Sequence, residues 1–141
     1  MAQLYLSLGT NLGNRRSNLD TALDLIAREV GIIKARSGVI ETEPWGFDSP
    51  NSFLNMTVLV QTDLKPLEVL DRTQRIEKDM GRTSKTGADG YHDRIIDIDI
   101  LLYDDLTMDT PRLTIPHPRM YQRRFVMEPL AQIAPHIVKD Y

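Results

Sequence analysis

Nine residues constrain the fold of this chain more than any others: the run IIDIDILLY, Ile95–Tyr103. Its isoleucines and leucines demand burial in a strand, yet Asp97 and Asp99 interrupt it. Aspartate is a poor strand former and is rarely buried without a partner. Side chains on a strand alternate between faces. Ile96, Ile98, Ile100 and Leu102 therefore form one wholly apolar face, while Asp97 and Asp99 share the other with Ile95, Leu101 and Tyr103. At ~3.3 Å per residue the two carboxylates stand about 7 Å apart on the same side. Two anions so placed repel unless water, cations or a metal ion lies between them. The pair reads either as a polar sheet face beside solvent or as a metal site, and only the rest of the chain can choose.

The chain has 141 residues, enough for one domain with a real core over 1–141. Hydrophobic residues make up 41% and charged residues 26%, which predicts a soluble globular protein. There is no cysteine, so disulfides, thiolate zinc sites and a cysteine nucleophile are excluded. No apolar run approaches the ~20 residues of a membrane span. The start MAQLYLSLGTNLGNRR lacks the order of a signal peptide. A cytoplasmic protein is expected, with no membrane partner, and a monomer. With a net charge of −3, a general attraction to nucleic acid is not expected.

Periodicity supplies the elements. Leu4, Leu6 and Leu8 alternate with Tyr5 and Ser7 as a first strand, and GTNLGN makes a turn. Leu19, Ala22, Leu23, Ile26 and Val30 recur at helical spacing over about 15–30, and Gly31 is placed to end that helix. A second strand is predicted over 32–42 and a loop over 43–51. In a third strand Leu54, Met56, Val58 and Val60 face one way and Phe53, Asn55 and Thr57 the other. Pro66 fits the first turn of a second helix that stops at Gly81. A long glycine-bearing loop leads to the aspartate strand, and a short helix is predicted over Val126 to Ala134. The order β-α-β-β-α-β implies an α+β, ferredoxin-like domain: an antiparallel sheet with helices on one face.

Several side chains could carry chemistry. GTNLGNRRS lacks the Gly-Lys-Ser/Thr ending of a P-loop, so a triphosphate would need side chains and metal. From Thr110 to Met127 there is no acidic residue, but there are Arg112, Arg119, Arg123, Arg124 and His117. Carboxylates beside guanidiniums are plain ion pairs or the setting for a magnesium polyphosphate. Gln74 and Glu77 lie three apart on the second helix, and solvated surface is the simpler reading. Arg82 and Arg94 bracket the long loop. Trp45, Phe53 and Phe125 could stack on a flat heterocycle or simply pack. A nucleotidyltransferase palm and an RNA-binding module share this strand order. The first would release pyrophosphate, and the second would show more strand aromatics than Phe53.

SLGTNLGNR, FLNMTV, QRIEKDMGR, RIIDIDILLY and LTIPHPRMYQRRFV occur in that order and spacing. Together they resemble the 6-hydroxymethyl-7,8-dihydropterin pyrophosphokinase family of folate synthesis, over about Leu4 to Pro135. The resemblance implies a ferredoxin-like fold and transfer of pyrophosphate from ATP to the pterin hydroxymethyl group, releasing AMP. It implies two magnesium ions held by Asp97 and Asp99. It assigns Gln74, Glu77, Arg82, Arg94, Ile100, Arg112, Thr114, His117 and Arg123 to ATP, with Arg82 and Arg94 acting in catalysis. Thr42, Pro44, Trp45, Phe53, Asn55 and Phe125 fall to the pterin, with Phe53 and Phe125 sandwiching the ring. Where many members carry a second arginine and a tryptophan after Gly81, this chain has Ser84, Lys85 and Tyr91. It has Pro118 where many have an aromatic.

Overall fold

The central strand, β1 (Ala2–Thr10), has to be satisfied on both edges and both faces. It pairs antiparallel with β4 (Phe53–Thr62) on one side and β5 (Asp97–Tyr103) on the other. Two short strands, β2 (Ile32–Arg36) and β3 (Ile40–Thr42), pair one after the other with the outer edge of β4. The sheet order is β2-β4-β1-β5, with β3 continuing the position of β2. This computed structural model describes residues 1–43, 51–81 and 95–138.

The strand predicted over 32–42 is thus two strands. The break is held rather than loose. Ser37 donates its backbone N–H to the Thr57 carbonyl, and its Oγ accepts from the Thr57 N–H, both at 2.9 Å. One hydroxyl replaces a ladder bond, so the sheet loses little by the interruption.

Helix α1 (Arg15–Glu29) begins where Asn14 caps it, its Oδ1 accepting from Ser17 N at 3.1 Å. Helix α2 (Pro66–Asp79) begins at a proline, as the sequence predicts. Both pack on one face of the sheet. Leu4, Leu6 and Leu8 of β1 meet Leu54, Met56, Val58 and Val60 of β4, Ile98 and Ile100 of β5, Leu19, Ala22, Leu23 and Ile26 of α1, and Val69 and Ile76 of α2. Fully burying a leucine is worth roughly 2 kcal/mol, and three on one strand explain why β1 is central. Gly31 serves a purpose other than conformational freedom: a Cβ there would collide with the Gln61 carbonyl of β4. The helix terminus passes directly against the sheet backbone.

The other face is divided. Helix α3 (Arg124–Ile133) and the short α4 (Pro135–Val138) cover one end of it. Val126, Met127 and Leu130 bury Tyr5 and Leu101 in a second apolar cluster, together with Met120 of a 3-10 turn. A two-stranded ribbon, β6 (Met108–Asp109) with β7 (Thr114–Ile115), flanks β5. Among the described residues no helix is long and apolar enough to cross a membrane.

Thr57 lies at the border of this second cluster, fully buried, and its Oγ1 has no hydrogen-bond partner among the described residues. A buried hydroxyl without a partner is destabilising by on the order of 1 kcal/mol. Thr57→Val is therefore expected to raise the melting temperature of the ligand-free protein by about 2–4 °C. A lower melting temperature would show that the hydroxyl is bonded.

Candidate active site

Beyond the patch under α3, the same sheet face turns polar. Directly opposed residues of antiparallel strands share a face. The registers Gly9↔Asn55 and Gly9↔Asp97 therefore define a row Asn55–Gly9–Asp97 across three strands. The registers of Ser7 define the next row, Thr57–Ser7–Asp99. Phe53 lies two residues before Asn55 on β4 and opposite Thr42 of β3. Asn55 is buried and donates from Nδ2 to Thr42 Oγ1 at 2.7 Å. An aromatic ring, an oriented amide and two partly exposed carboxylates thus occupy one end of one face.

Helix α2 fixes the carboxylate strand from its outer edge. Glu77 is buried, and its Oε2 accepts the Ile98 N–H at 2.8 Å. That amide lies between Asp97 and Asp99, so the bond holds the strand at the pair. Gln74, one turn earlier, is exposed. The side chain of Ile100 is in the main core, so only its backbone can meet a ligand.

The basic segment closes over the aspartates. Arg123 occupies the position just before α3 and is 9% exposed. Its Nη1 lies 3.9 Å from Asp99 Oδ2, and its Cζ sits 5.5 Å from the Phe125 ring centroid. The ring face favours the cation while the carboxylate offsets its charge. His117 is tied to the end of β5 by its N–H to the Leu101 carbonyl at 3.0 Å. Its Nδ1 accepts from Arg119 N at 3.1 Å, so the neutral ring carries its proton on Nε2. Burial first, then the Arg123 guanidinium, lower its pKa to about 4, against the opposing pull of Asp97. Arg112 sits in the turn between β6 and β7, bonded to Asp71 of α2 at 2.6 Å. Thr114 is half-buried on β7.

The structure therefore brings together Asp97, Asp99, Arg123, His117 and Phe125 on one side and Asn55, Phe53 and Thr42 on the other. It places Arg112 and Gln74 on the α2 flank. Pro44, Trp45, Arg82 and Arg94 lie outside the described residues. Among the described residues no three His, Cys, Asp or Glu gather around a point. Two hard carboxylates suit magnesium, which commonly takes one or two of them and completes its shell with phosphate and water.

Two further residues border the site without a local signal in the sequence. Arg15 donates from Nη1 to Glu41 Oε2 at 2.8 Å and to the Ser52 carbonyl at 3.0 Å. It clasps the residues immediately before Thr42 and Phe53 and lines an open cavity of about 310 Å³ with Asn11, Asn51 and others. Nothing local in the sequence links position 15 to 41 and 52. Gly9 reads in the sequence as part of a turn but is a regular strand residue in the middle of the first row.

A ferredoxin-like sheet that gathers paired carboxylates, a buried arginine and a partly exposed aromatic can receive a polyanion and a flat ring side by side, as a group-transfer enzyme requires. Residues 5–135 match the family described as 7,8-dihydro-6-hydroxymethylpterin-pyrophosphokinase (HPPK), and the chain belongs to that family. It is 50% identical over 136 residues to the 2-amino-4-hydroxy-6-hydroxymethyldihydropteridine pyrophosphokinase of Porphyromonas gingivalis, covering 96% of this chain and 92% of the relative. It is 39% identical to the enzyme of that name from Bacillus subtilis, covering 96% of this chain and 80% of the relative. A Plasmodium falciparum HPPK-DHPS chain shares the fold with a TM-score of 0.79 at 21% identity. The match covers 95% of this chain but spans only 42% of the Plasmodium chain.

His117 makes stability depend on pH. Its folded pKa lies below the ordinary value, so the unfolded chain binds its proton first. Its contribution is complete above about pH 6.5 and is lost as pH falls through 6.5 toward 4. Allowing for solvent screening at a half-buried site, the loss is on the order of 1–2 kcal/mol. Urea unfolding at pH 7 and pH 4.5 is expected to show a smaller drop for His117→Asn than for wild type. Equal drops would mean that the ring titrates as if exposed.

Proposed function

We infer that this chain transfers pyrophosphate from ATP to the hydroxyl of 6-hydroxymethyl-7,8-dihydropterin, releasing AMP, in tetrahydrofolate biosynthesis. The observation that carries this reading is the family match over nearly the whole chain, joined to 50% identity with a pyrophosphokinase that is covered over 92% of its length. The row Asn55–Gly9–Asp97 supports it, because it sets an amide and a carboxylate on one surface with Phe53 beside them. We assign the whole of 1–141 to a single pyrophosphokinase domain acting as a monomer in the cytoplasm, without nucleic acid or membrane partners.

Asn55 and Thr42 would read the polar edge of the pterin, and Phe53 and Phe125 would hold its faces, with Pro44 and Trp45 completing the pocket. Arg112, Thr114, Gln74 and the Ile100 backbone would hold ATP along β5 and the ribbon. His117 would donate from Nε2, and Glu77 would act by holding β5. Asp97 and Asp99 would hold two magnesium ions, which, when bound, supply charge neutralisation on the triphosphate and make a neighbouring hydroxyl more acidic. In the transfer the pterin hydroxyl oxygen bonds to the β-phosphorus. The bond from that phosphorus to the oxygen bridging the α-phosphate breaks, AMP leaves with that oxygen, and the hydroxyl proton is released. Arg123, and by the family resemblance Arg82 and Arg94, would offset the charge that develops on the moving group.

The test is turnover with ATP, magnesium and the hydroxymethyl pterin, with the nucleotide products separated. AMP is expected; ADP or pyrophosphate as the main product would overturn the reading. Asp97→Asn and Asp99→Asn are each expected to lower turnover at least about a hundredfold, or ~2.7 kcal/mol in the barrier. The ligand-free fold should survive both changes. A variant that keeps most of its activity would remove that aspartate from the site.

A further inference from the structure

Gly9 is poorly explained as a backbone device. It lies inside β1, paired in register with Asn55 on one side and Asp97 on the other. Its φ is not in the left-handed region. Glycine in such a strand costs conformational entropy and offers no side chain to pack. The space around it gives a reason for its presence. A Cβ at position 9 would stand 3.0 Å from Asn55 Oδ1 and 3.5 Å from Phe53 Cδ1. The first distance is too short for an ordinary contact, so the Asn55 amide would have to give. That amide is held from its other end by the Thr42 hydroxyl at 2.7 Å. It cannot retreat without straining or losing that bond.

We propose that Gly9 is a positioning residue for the pterin subsite: its missing side chain lets the Asn55 amide and the edge of the Phe53 ring lie down against the β1 backbone. This inference rests on the functional reading above. Neighbouring strands are ~4.8 Å apart, so Asn55 and Asp97 stand roughly 10 Å from one another across bare backbone. A flat heterocycle read by Asn55 can then extend its hydroxymethyl arm toward the carboxylates with no β1 side chain between them. Any side chain at position 9 would tilt the recognising amide and raise the floor under the ring. ATP, held along β5 and the ribbon, does not depend on that floor. The defect is therefore confined to one substrate.

The experiment compares wild type with Gly9→Ala and Gly9→Ser. Calorimetry measures 6-hydroxymethylpterin binding with saturating α,β-methylene ATP and magnesium, and binding of that nucleotide alone. NMR follows the Asn55 side-chain amide in the free protein. For Gly9→Ala, pterin affinity is expected to fall at least about tenfold, with a larger fall for Gly9→Ser. Nucleotide affinity should stay within about twofold and melting temperature within a few degrees. The Asn55 side-chain amide resonances should shift even without ligand. Wild-type pterin affinity in Gly9→Ala overturns the inference, as does a matched loss of both ligands with a falling melting temperature. Wild-type protein that binds no pterin would instead overturn the functional reading, and the inference with it.

Discussion

The structure depends on the two-residue alternation of β1. This strand is paired on both edges, and its even residues Leu4, Leu6 and Leu8 are fully buried under α1 and α2. The odd residues face the other way and are free to differ along the strand. Tyr5 lies in the apolar cluster under α3, and Ser7 and Gly9 follow it into the polar end. A change of chemistry along one face is thereby printed across three strands at once. A one-residue slip of either partner would reverse every side chain of that partner. The apolar core fixes the register, and the register assembles the site.

The charged groups are held by neighbours rather than by burial alone. Arg123 lies between a carboxylate and an aromatic face, and Glu77 spends its charge on a strand amide. The cost of desolvating Glu77 is offset by a bond that also fixes the strand, and that of Arg123 by the nearby carboxylate and ring. His117, in turn, is kept neutral beside Arg123 with its tautomer set by a backbone N–H. A neutral donor beside a guanidinium adds no further positive charge to the site.

Much of this was legible in the sequence because it follows from period two and period 3.6. The βαββαβ order, the first helix over about 15–30, the second helix start at Pro66, and the shared face of Phe53, Asn55, Asp97 and Asp99 all come from local patterns. What was not legible depends on distant partners. The break at Ser37 reads as a weak strand until Thr57 is seen opposite. Gln74 and Glu77 look alike on a helical wheel, yet one is exposed and the other buried against Ile98. Arg112 reads as one of a run of arginines, and only the fold shows that it meets Asp71, 41 residues away. Gly31 reads as a helix stop, whereas its lack of a side chain answers to the carbonyl of Gln61. That α3 covers only one end of the second face depends on how α3 docks, which no local pattern encodes.

We propose that the polar end of the second sheet face, and no other surface, receives the substrates. Backbone amide shifts measured on labelled protein during titration with 6-hydroxymethylpterin, magnesium and α,β-methylene ATP test it most directly. The largest changes are expected at Gly9, Phe53, Asn55 and the Asp97–Asp99 segment. Ala22 and Ile26 of α1 and Leu130 of α3 should stay nearly still. Shifts centred on α1, or on the end of the face beneath α3, with Gly9 and Asn55 unmoved, would contradict the account.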